Sequence, residues 1–251
     1  MKKNLPQWLV KRPISHRGLH GVFNSKVVPE NSLLAFEHSI EKKFPIELDV
    51  HMLRDGSVVV FHDETLDRLT SVSGRIEELS KENLKNLYLL KTEQTIPLLS
   101  QVLSLVAGRV PLLIELKGEH STGILEKHTW ELLKDYQGEF AVQSFNPYSM
   151  MWFQKHAGQV LRGLLSYDYS DSSLPIYKKL LLKNLIFAAK VLPDFLAIDK
   201  DYLEAWPVQL LHKTVGLPLI AWTVSSLKES NQASQLAQNV IFENFIPATM
   251  T

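Results

Sequence analysis

Two carboxylates and a histidine lie within one short stretch of the sequence. Glu47 and Asp49 are two residues apart in an apolar run, and strand side chains alternate between faces, so both acids project to one side. Buried acids are costly unless a cation neutralises them. The Arg54-Asp55-Gly56 turn and the apolar residues behind it predict a hairpin that returns His62 toward the acids. The pattern places a metal and a proton carrier at one site.

Further reactive side chains occur where other strands are predicted to end. Glu115 and Lys117 share one face of a later strand, and His16-Arg17 follows the first strand. Three carboxylates in a chain without cysteine favour a hard divalent cation such as Mg²⁺ or Ca²⁺. Two histidines can serve as general acid and base, and Arg17 and Lys117 can bind an anion. These side chains together indicate chemistry on a phosphate ester.

Each of these residues also has an ordinary structural interpretation. A Glu-x-Asp pair fits a solvated edge strand, although the apolar residues on either side favour burial. Trp222 is a further strand-end candidate that would by default pack in the core. Asp199 and Lys200 are candidates too, but they could pair with one another. With nine histidines in the chain, only the position at a strand end distinguishes His16 and His62.

The elements that must position these residues alternate between strand-like and helix-like along the whole chain. This alternation predicts parallel βα units, and eight of them imply a TIM (β/α)8 barrel, with a small β-hairpin extension after strand 2. The active site of such a barrel lies at the C-terminal ends of its strands. Residues 1–251 are predicted to be a single domain. The predicted strands are residues 13–16, 46–50, 112–116, 140–144, 160–165, 195–198, 219–223 and 240–243.

The helix signals are clearest in three places. Asn31 or Ser32 is predicted to cap a helix that runs to about Lys43, and Ser80 is predicted to cap a helical stretch through Leu87. A long helix is expected near residues 174–190. The remaining helices are predicted near residues 98–107, 124–136, 147–156, 202–214 and 226–238.

Composition and charge indicate which kinds of partner the protein can bind. Lys plus Arg and Asp plus Glu number 27 each, so no net field attracts nucleic acid. The start, Met1 to Trp8, has basic residues but no apolar signal-peptide segment behind them, which predicts a cytoplasmic protein. Four lysines interrupt the apolar window Leu174 to Leu192, so it does not predict a transmembrane helix. Peripheral membrane contact there is the less favoured alternative to a packed outer helix. The sequence does not indicate an oligomeric state.

A series of short motifs resembles the glycerophosphodiester phosphodiesterase family, in the same order and between residues 14 and 117. Two weaker matches follow near residues 143–146 and 221–224. The main motifs are His16-Arg17-Gly18, Pro29-Glu30-Asn31-Ser32, Glu47-Leu48-Asp49-Val50, Arg54-Asp55-Gly56, His62-Asp63, Leu66-Asp67-Arg68-Leu69-Thr70 with Gly74, and Glu115-Leu116-Lys117.

The resemblance implies a TIM barrel that hydrolyses glycerophosphodiesters to glycerol 3-phosphate and an alcohol such as choline or ethanolamine, with a divalent metal. One histidine would deprotonate the glycerol 2-hydroxyl for attack on phosphorus, and the other would protonate the leaving alcohol. Water would then open the cyclic phosphate. The implied roles are metal ligands Glu47, Asp49 and Glu115, catalytic residues His16 and His62, and substrate-binding residues Arg17, Glu30, Lys117 and Trp222.

Some residues depart from the family pattern. Ser225 stands where the family commonly has Asn, and Glu243-Asn244-Phe245 replaces a Thr-Asp near the end of strand eight. Substrate choice is therefore open. The span from His62 to Glu115 is too short for a large cap, so one alternative is a lysophospholipase D that acts at a membrane surface. Another is a non-catalytic barrel that binds a phosphodiester.

Overall fold

The computed structural model describes residues 5–23, 25–118 and 122–247. The expectation about a signal peptide rests partly on residues 1–4, outside the described residues. In chain order, the helices are α1 (Gln7–Lys11), α2 (Leu33–Glu41), α3 (Leu99–Val106), α4 (Ile124–Leu133), α5 (Pro147–His156), α6 (Ile176–Lys183), α7 (Ala188–Val191), α8 (Trp206–Leu210) and α9 (Leu227–Ala233). The strands are β1 (Ile14–Ser15), β2 (Gly21–Phe23), β3 (Lys26–Val28), β4 (Ile46–Met52), β5 (Val58–Val60), β6 (Leu112–Leu116), β7 (Phe140–Ser144), β8 (Leu161–Ser166), β9 (Phe195–Asp199), β10 (Leu219–Val224) and β11 (Asn239–Phe242).

The chain divides into two compact units. One comprises residues 15–140, and the other comprises residues 141–251 together with residues 1–14. The prediction of a single domain stays a prediction.

The unit of residues 15–140 contains the predicted hairpin extension. β1 and β6 each pair in parallel with β4, whereas β5 pairs with β4 in antiparallel fashion, with Val50 opposite Val60. The turn at Gly56 has a φ of 84°, a left-handed value that glycine adopts without strain. The hairpin predicted from Arg54-Asp55-Gly56 is therefore present.

A buried apolar cluster lies behind the hairpin and fixes the loop that carries His62. Burying one large apolar side chain contributes roughly 1.5–3 kcal/mol, so the cluster anchors this loop to the sheet. Its members are Leu53, Val59, Phe61, Leu66, Leu69, Ile76, Leu84, Leu87, Leu89 and Ile96.

The described residues of the second unit form five parallel strands. β7 pairs with β8, β8 with β9, β9 with β10 and β10 with β11. Asn239, at the start of β11, ties helix α1 to this sheet. Its amide Nδ2 donates to the carbonyl oxygens of Leu9 and Arg12 at 2.9 and 2.7 Å.

Several predicted elements differ from the structure. No strand was predicted between β1 and α2, but this stretch contains the antiparallel pair β2 and β3. The helix predicted at 174–190 is interrupted at Asn184, where Leu185 takes a left-handed φ of 53°. The stretch predicted after Ser80 is only a 3₁₀ turn at Asn83–Asn86. The N–H and the hydroxyl of Ser80 both donate to Asn83 Oδ1, so the serine side chain does not act as the expected cap.

The helix predicted at 202–214 is also interrupted. It consists of α8 followed by a π turn at Leu211–Val215. A π turn is rare and occurs mostly as a single turn within or beside an α-helix, so a prediction from apolar spacing does not include it.

We predict that Asn239→Ala lowers the free energy of unfolding by about 3 kcal/mol, because two buried carbonyl groups lose their donor. Urea unfolding followed by circular dichroism measures the change. Asn231→Ala, an exposed asparagine on α9, is the matched control and should change stability by no more than about 0.5 kcal/mol. Equal stability of the two variants would contradict a structural role for Asn239.

Candidate active site

Three buried carboxylates form the centre of the site. Glu47 and Asp49 lie on β4 and Glu115 on β6, and the parallel register sets Asp49 directly beside Glu115. One carboxylate oxygen from each lies within 4.8 Å of the others. Strand periodicity predicted this shared face, and the structure brings all three acids together.

Two cationic side chains contact this cluster. Lys117 Nζ lies 3.0 Å from Asp49 Oδ1 and 2.5 Å from Glu115 Oε1. Arg17 Nε lies 3.2 Å from Asp49 Oδ2, and its backbone N–H donates to Glu47 Oε2 at 3.1 Å. Both cations were predicted as anion-binding donors, and both lie at the acids.

The turn at Arg17 depends on the glycine that follows it. Arg17 has a φ of 52°, and Gly18 has a φ of 79°. A Cβ at Gly18 would lie 2.9 Å from atoms of Ala35 and Phe36, so only glycine fits against the start of α2. This close approach fixes the backbone N–H of Arg17 at Glu47.

Asn31 is a site residue that the sequence interpretation did not identify. Its Nδ2 donates to Asp49 Oδ2 at 2.8 Å, and its backbone N–H donates to the Arg17 carbonyl at 2.9 Å. The position was predicted as one of two helix caps, but Ser32 caps α2 through a hydrogen bond from the Ala35 N–H. The left-handed φ of 54° at Asn31 is what turns its amide toward the acids.

The hairpin brings His62 to the same strand. The N–H of Phe61 donates to the Asp49 carbonyl at 3.0 Å, which places His62 next to β4. His62 Nδ1 lies 2.7 Å from Asp63 Oδ1, and His51 Nε2 donates to the His62 carbonyl at 3.0 Å. Asp63 therefore holds Nδ1 as the donor and leaves Nε2 of a neutral His62 ring as a proton acceptor.

Arg68 connects Asp63, the hydrogen-bond partner of His62, to Glu30, the hydrogen-bond partner of Arg17. Its guanidinium makes two hydrogen bonds to Asp63, at 2.6 and 2.9 Å, and two to Glu30, both at 2.7 Å. Glu30 in turn accepts from Arg17 Nη1 at 2.6 Å. Glu30 was predicted in the site, but Arg68 and Asp63 were noted only as members of motifs. The His-Asp and Asp-Arg spacing alone gave no sign of this long-range contact.

Burial and charge shift the carboxylates in opposite directions. Burial raises the pKa of Glu47 well above its usual range, and the charges of Asp49 and Glu115 raise it further. Burial also raises the pKa of Glu115, against the opposing charge of Lys117. Burial would raise the pKa of Asp49 as well, but Lys117 and Arg17 hold it well below the usual range. Glu47 is the acid that retains a proton most readily.

The pKa values of three groups around the acid cluster, His62, Glu30 and Asp63, are all lowered. Burial lowers the pKa of His62 to about 4, although the charge of Asp49 acts in the other direction. Hydrogen bonds from Arg68 outweigh burial and lower the pKa of Glu30 and of Asp63 to about 2 each. Near neutral pH, His62 is therefore a neutral ring beside an ionised aspartate.

The remaining predicted residues lie as follows. His16 is partly buried directly after β1, and its charge contributes to the lowered pKa of Asp49. Trp222 lies on β10 in the other unit, where its ring packs edge-on against Phe145 at 5.5 Å between centroids. Lys200 pairs with Asp201 at 2.9 Å.

Residues 16–246 match the model of the "Glycerophosphoryl diester phosphodiesterase family". This chain belongs to that family. The prediction of an enzyme of this family is confirmed.

The relatives in the family include bacterial proteins with the name "Glycerophosphodiester phosphodiesterase". The one from Bacillus altitudinis is 34% identical over 167 residues, which cover 61% of this chain and 66% of that protein. The one from Bacillus subtilis (strain 168) is 24% identical over 260 residues, which cover 92% of this chain and 83% of that protein.

The fold is shared with solved structures. An Oleispira antarctica phosphodiesterase in complex with the product sn-glycerol-3-phosphate matches with a TM-score of 0.76 at 20% identity, over 94% of this chain and 93% of that one. A Thermotoga maritima glycerophosphodiester phosphodiesterase matches with a TM-score of 0.70 at 23% identity, over 92% and 94% of the two chains. The predicted α/β TIM barrel is confirmed.

The buried acids suit a divalent metal. Their donor set consists of oxygen atoms from two neighbouring strands, which is the chemistry that hard cations prefer. Burial, together with the charges of Asp49 and Glu115, raises the pKa of Glu47, and a bound cation would favour its ionised form. In the described part of the chain, no helix is long and apolar enough to cross a membrane.

We predict that Mg²⁺ or Ca²⁺ raises the melting temperature, since a ligand at a hundred times its Kd stabilises the folded state by about 2.7 kcal/mol. Glu47→Gln and Glu115→Gln should each reduce this metal-induced rise, and Glu93→Gln, an exposed glutamate, should preserve it. Because the pKa of Glu47 is raised, protons compete with the metal as pH falls, so the rise should be smaller at mildly acidic pH. Differential scanning calorimetry measures it, and an unchanged rise in both ligand variants would rule out this metal site.

Proposed function

We propose that this protein hydrolyses glycerophosphodiesters to glycerol 3-phosphate and an alcohol in a metal-dependent reaction. The observation that carries the proposal is the convergence, within one unit, of three buried carboxylates with two cations and with His62. Membership in the family supports the same reaction.

Glu47, Asp49 and Glu115 would hold the metal, for which Mg²⁺ and Ca²⁺ are the candidates. When bound, the cation would stabilise the negative charge that develops on the phosphoryl oxygens. Arg17 and Lys117 would contact the same oxygens, because each already presents donors toward the acids. These residues bind and orient the diester.

His62 is the proposed general base. Its ring is neutral near pH 7, and Asp63 holds the tautomer whose Nε2 can accept a proton from the glycerol 2-hydroxyl. The 2-oxygen then bonds to phosphorus as the bond to the leaving alcohol breaks, and His16 gives that alcohol its proton. In the second step, His16 takes a proton from the water that attacks the cyclic phosphate, and His62 returns its proton to the 2-oxygen as the bond between that oxygen and phosphorus breaks to give glycerol 3-phosphate.

The residues that depart from the family pattern do not identify the leaving alcohol. Ser225, where the family commonly has Asn, donates from its N–H and Oγ to Glu229 Oε2 at 2.7 and 2.9 Å. The serine therefore serves the start of α9 in its own unit. Trp222 stays a predicted substrate contact.

A panel of diesters tests the proposal. Glycerophosphocholine, glycerophosphoethanolamine and lysophosphatidylcholine are incubated with Mg²⁺, with Ca²⁺ and with a chelator. Glycerol 3-phosphate is measured enzymatically for the first two substrates, and released choline is measured for lysophosphatidylcholine. The proposal requires release of glycerol 3-phosphate that stops with chelator. Turnover of lysophosphatidylcholine alone would favour a lysophospholipase D, and binding without turnover would favour a non-catalytic barrel.

We predict that His16→Ala and His62→Ala each lower kcat by about 10²-fold or more, as the loss of a general acid or base does. Both variants should keep the metal-induced rise in melting temperature, since neither is a proposed ligand. His156→Ala, an exposed histidine that stacks on Trp152, is the control and should keep full activity. Unchanged kcat in either site variant would refute its role.

We predict that Arg68→Ala lowers kcat about tenfold and moves the acid limb of the pH–rate profile to higher pH. Without Arg68, the charge of Asp63 acts on His62 unopposed and raises its pKa. Arg68→Lys should restore little, because lysine lacks the fork that bridges two carboxylates.

Arg109 is the matched control for Arg68. Both side chains are 47% exposed, and Arg109 pairs only loosely with Glu37 at 4.0 Å. Arg109→Ala should leave both kcat and the pH profile as they are. A shift of the acid limb in the Arg109 variant, or none in the Arg68 variant, would contradict the proposed bridge.

A further inference from the structure

Helix α6 presents its apolar side to solvent. Ile176 is 76% exposed, Tyr177 59% and Leu180 55%, and no residue of α6 is buried. Ile176 and Leu180 are four residues apart, as are Tyr177 and Leu181, so the four side chains form one stripe. The sequence interpretation favoured a packed outer helix, whose apolar stripe would face the core. The structure shows the opposite orientation.

The lysine side of α6 is the side attached to the protein. Lys179 Nζ donates to the Ser170 carbonyl at 3.0 Å, and Lys183 Nζ pairs with Asp168. The Lys183 ammonium also lies 5.6 Å from the centroid of the Tyr202 ring. These contacts hold the helix in an orientation that keeps the apolar stripe outward.

The segment that carries this stripe is basic. The α6–α7 segment, residues 174–192, contains four lysines and no acidic residue. Lys178 and Lys190 are exposed, and further apolar side chains of the segment are exposed as well, namely Ile186 at 57% and Leu192 at 62%. An apolar stripe beside lysines, with a tyrosine among them, has the composition of a helix that lies in a lipid headgroup layer.

We propose that the α6–α7 segment docks the protein on an anionic lipid surface. Ile176, Leu180 and Tyr177 would enter the boundary between headgroups and acyl chains, and Lys178 and Lys190 would meet the lipid phosphates. The proposal goes beyond the phosphodiesterase reaction, since it concerns where the enzyme works and not what it cleaves.

Charge complementarity favours lipid over a second copy of this chain. A two-fold dimer through this face would set the same lysine-rich surface against itself, and like charges across an interface oppose association. An anionic bilayer offers the opposite sign, and it can receive a shallow convex helix without a matching groove. The surface around α6 is therefore better suited to binding an anionic membrane than to binding a second copy of this chain.

Vesicle sedimentation tests the proposal with the full chain. Vesicles of phosphatidylcholine alone are compared with vesicles that also contain phosphatidylglycerol. We expect binding to the anionic vesicles only, weakened by salt. Leu180→Asp should reduce the affinity by tenfold or more, and Lys178→Gln by roughly fivefold, the effect of one basic residue near an anionic surface.

The matched control is Leu227→Asp, which changes a leucine of similar exposure, 57%, at the start of α9. It should bind vesicles like the original protein, and all three variants should keep their activity on water-soluble diesters and their circular dichroism. Equal binding by Leu180→Asp, or absence of binding to anionic vesicles, would overturn the proposal. A dimer in gel filtration that Leu180→Asp dissociates would overturn it in favour of self-association. The binding measurement does not depend on turnover, so it stands apart from the test of the reaction.

Discussion

The repulsion among Glu47, Asp49 and Glu115 is the constraint on which the rest of the site depends. The carboxylate oxygens lie within 4.8 Å of one another, and two unit charges at that distance repel by roughly 3 kcal/mol at an effective dielectric of 20, so three buried carboxylates cannot all ionise without compensation. Lys117 lies two residues beyond Glu115 on the same face and supplies part of it. The remainder must come from elements that arrive from elsewhere in the chain, and from a bound cation.

The turn after β1 and the start of α2 supply that compensation through unusual backbone geometry. Arg17 and Asn31 both have left-handed φ values, and the N–H of Asn31 donates to the carbonyl of Arg17. Strain of this kind persists only where the surroundings fix it, and here the fixed groups are the donors aimed at Glu47 and Asp49. Gly18 permits the close approach of the turn to α2, so a residue without a side chain determines where a guanidinium lies.

Alternating charges extend the same compensation outward to His62. Asp49, Arg17, Glu30, Arg68 and Asp63 follow one another as acid, base, acid, base, acid. Bidentate contacts of arginine with carboxylates are both stronger and more directional than single ones. These contacts therefore link the orientation of the His62 ring to Arg17, the side chain that would hold the phosphate.

Much of the centre could be predicted from sequence, because strand periodicity is strict. A period of two residues fixed the shared face of Glu47 and Asp49 and that of Glu115 and Lys117, and a glycine turn fixed the return to His62. Arg68 could not be placed in this way. It lies 38 residues from Glu30, and no local pattern encodes a contact between two loops that meet only after folding. Asn31 was recognised only as a helix cap and as a member of a family motif, because neither pattern indicates the left-handed backbone and the Arg17 contact that accompany its bond to Asp49.

Helix α6 shows a different limit of sequence interpretation. The spacing of Ile176, Leu180 and Lys179 defines the two sides of the helix, but the same spacing fits either side turned inward. Burial of apolar surface normally decides the orientation. Here the contacts of Lys179 and Lys183 with Ser170 and Asp168 hold the polar side against the protein instead. Exposure of an apolar stripe to water is unfavourable, and contact with the apolar part of a lipid layer would remove that cost.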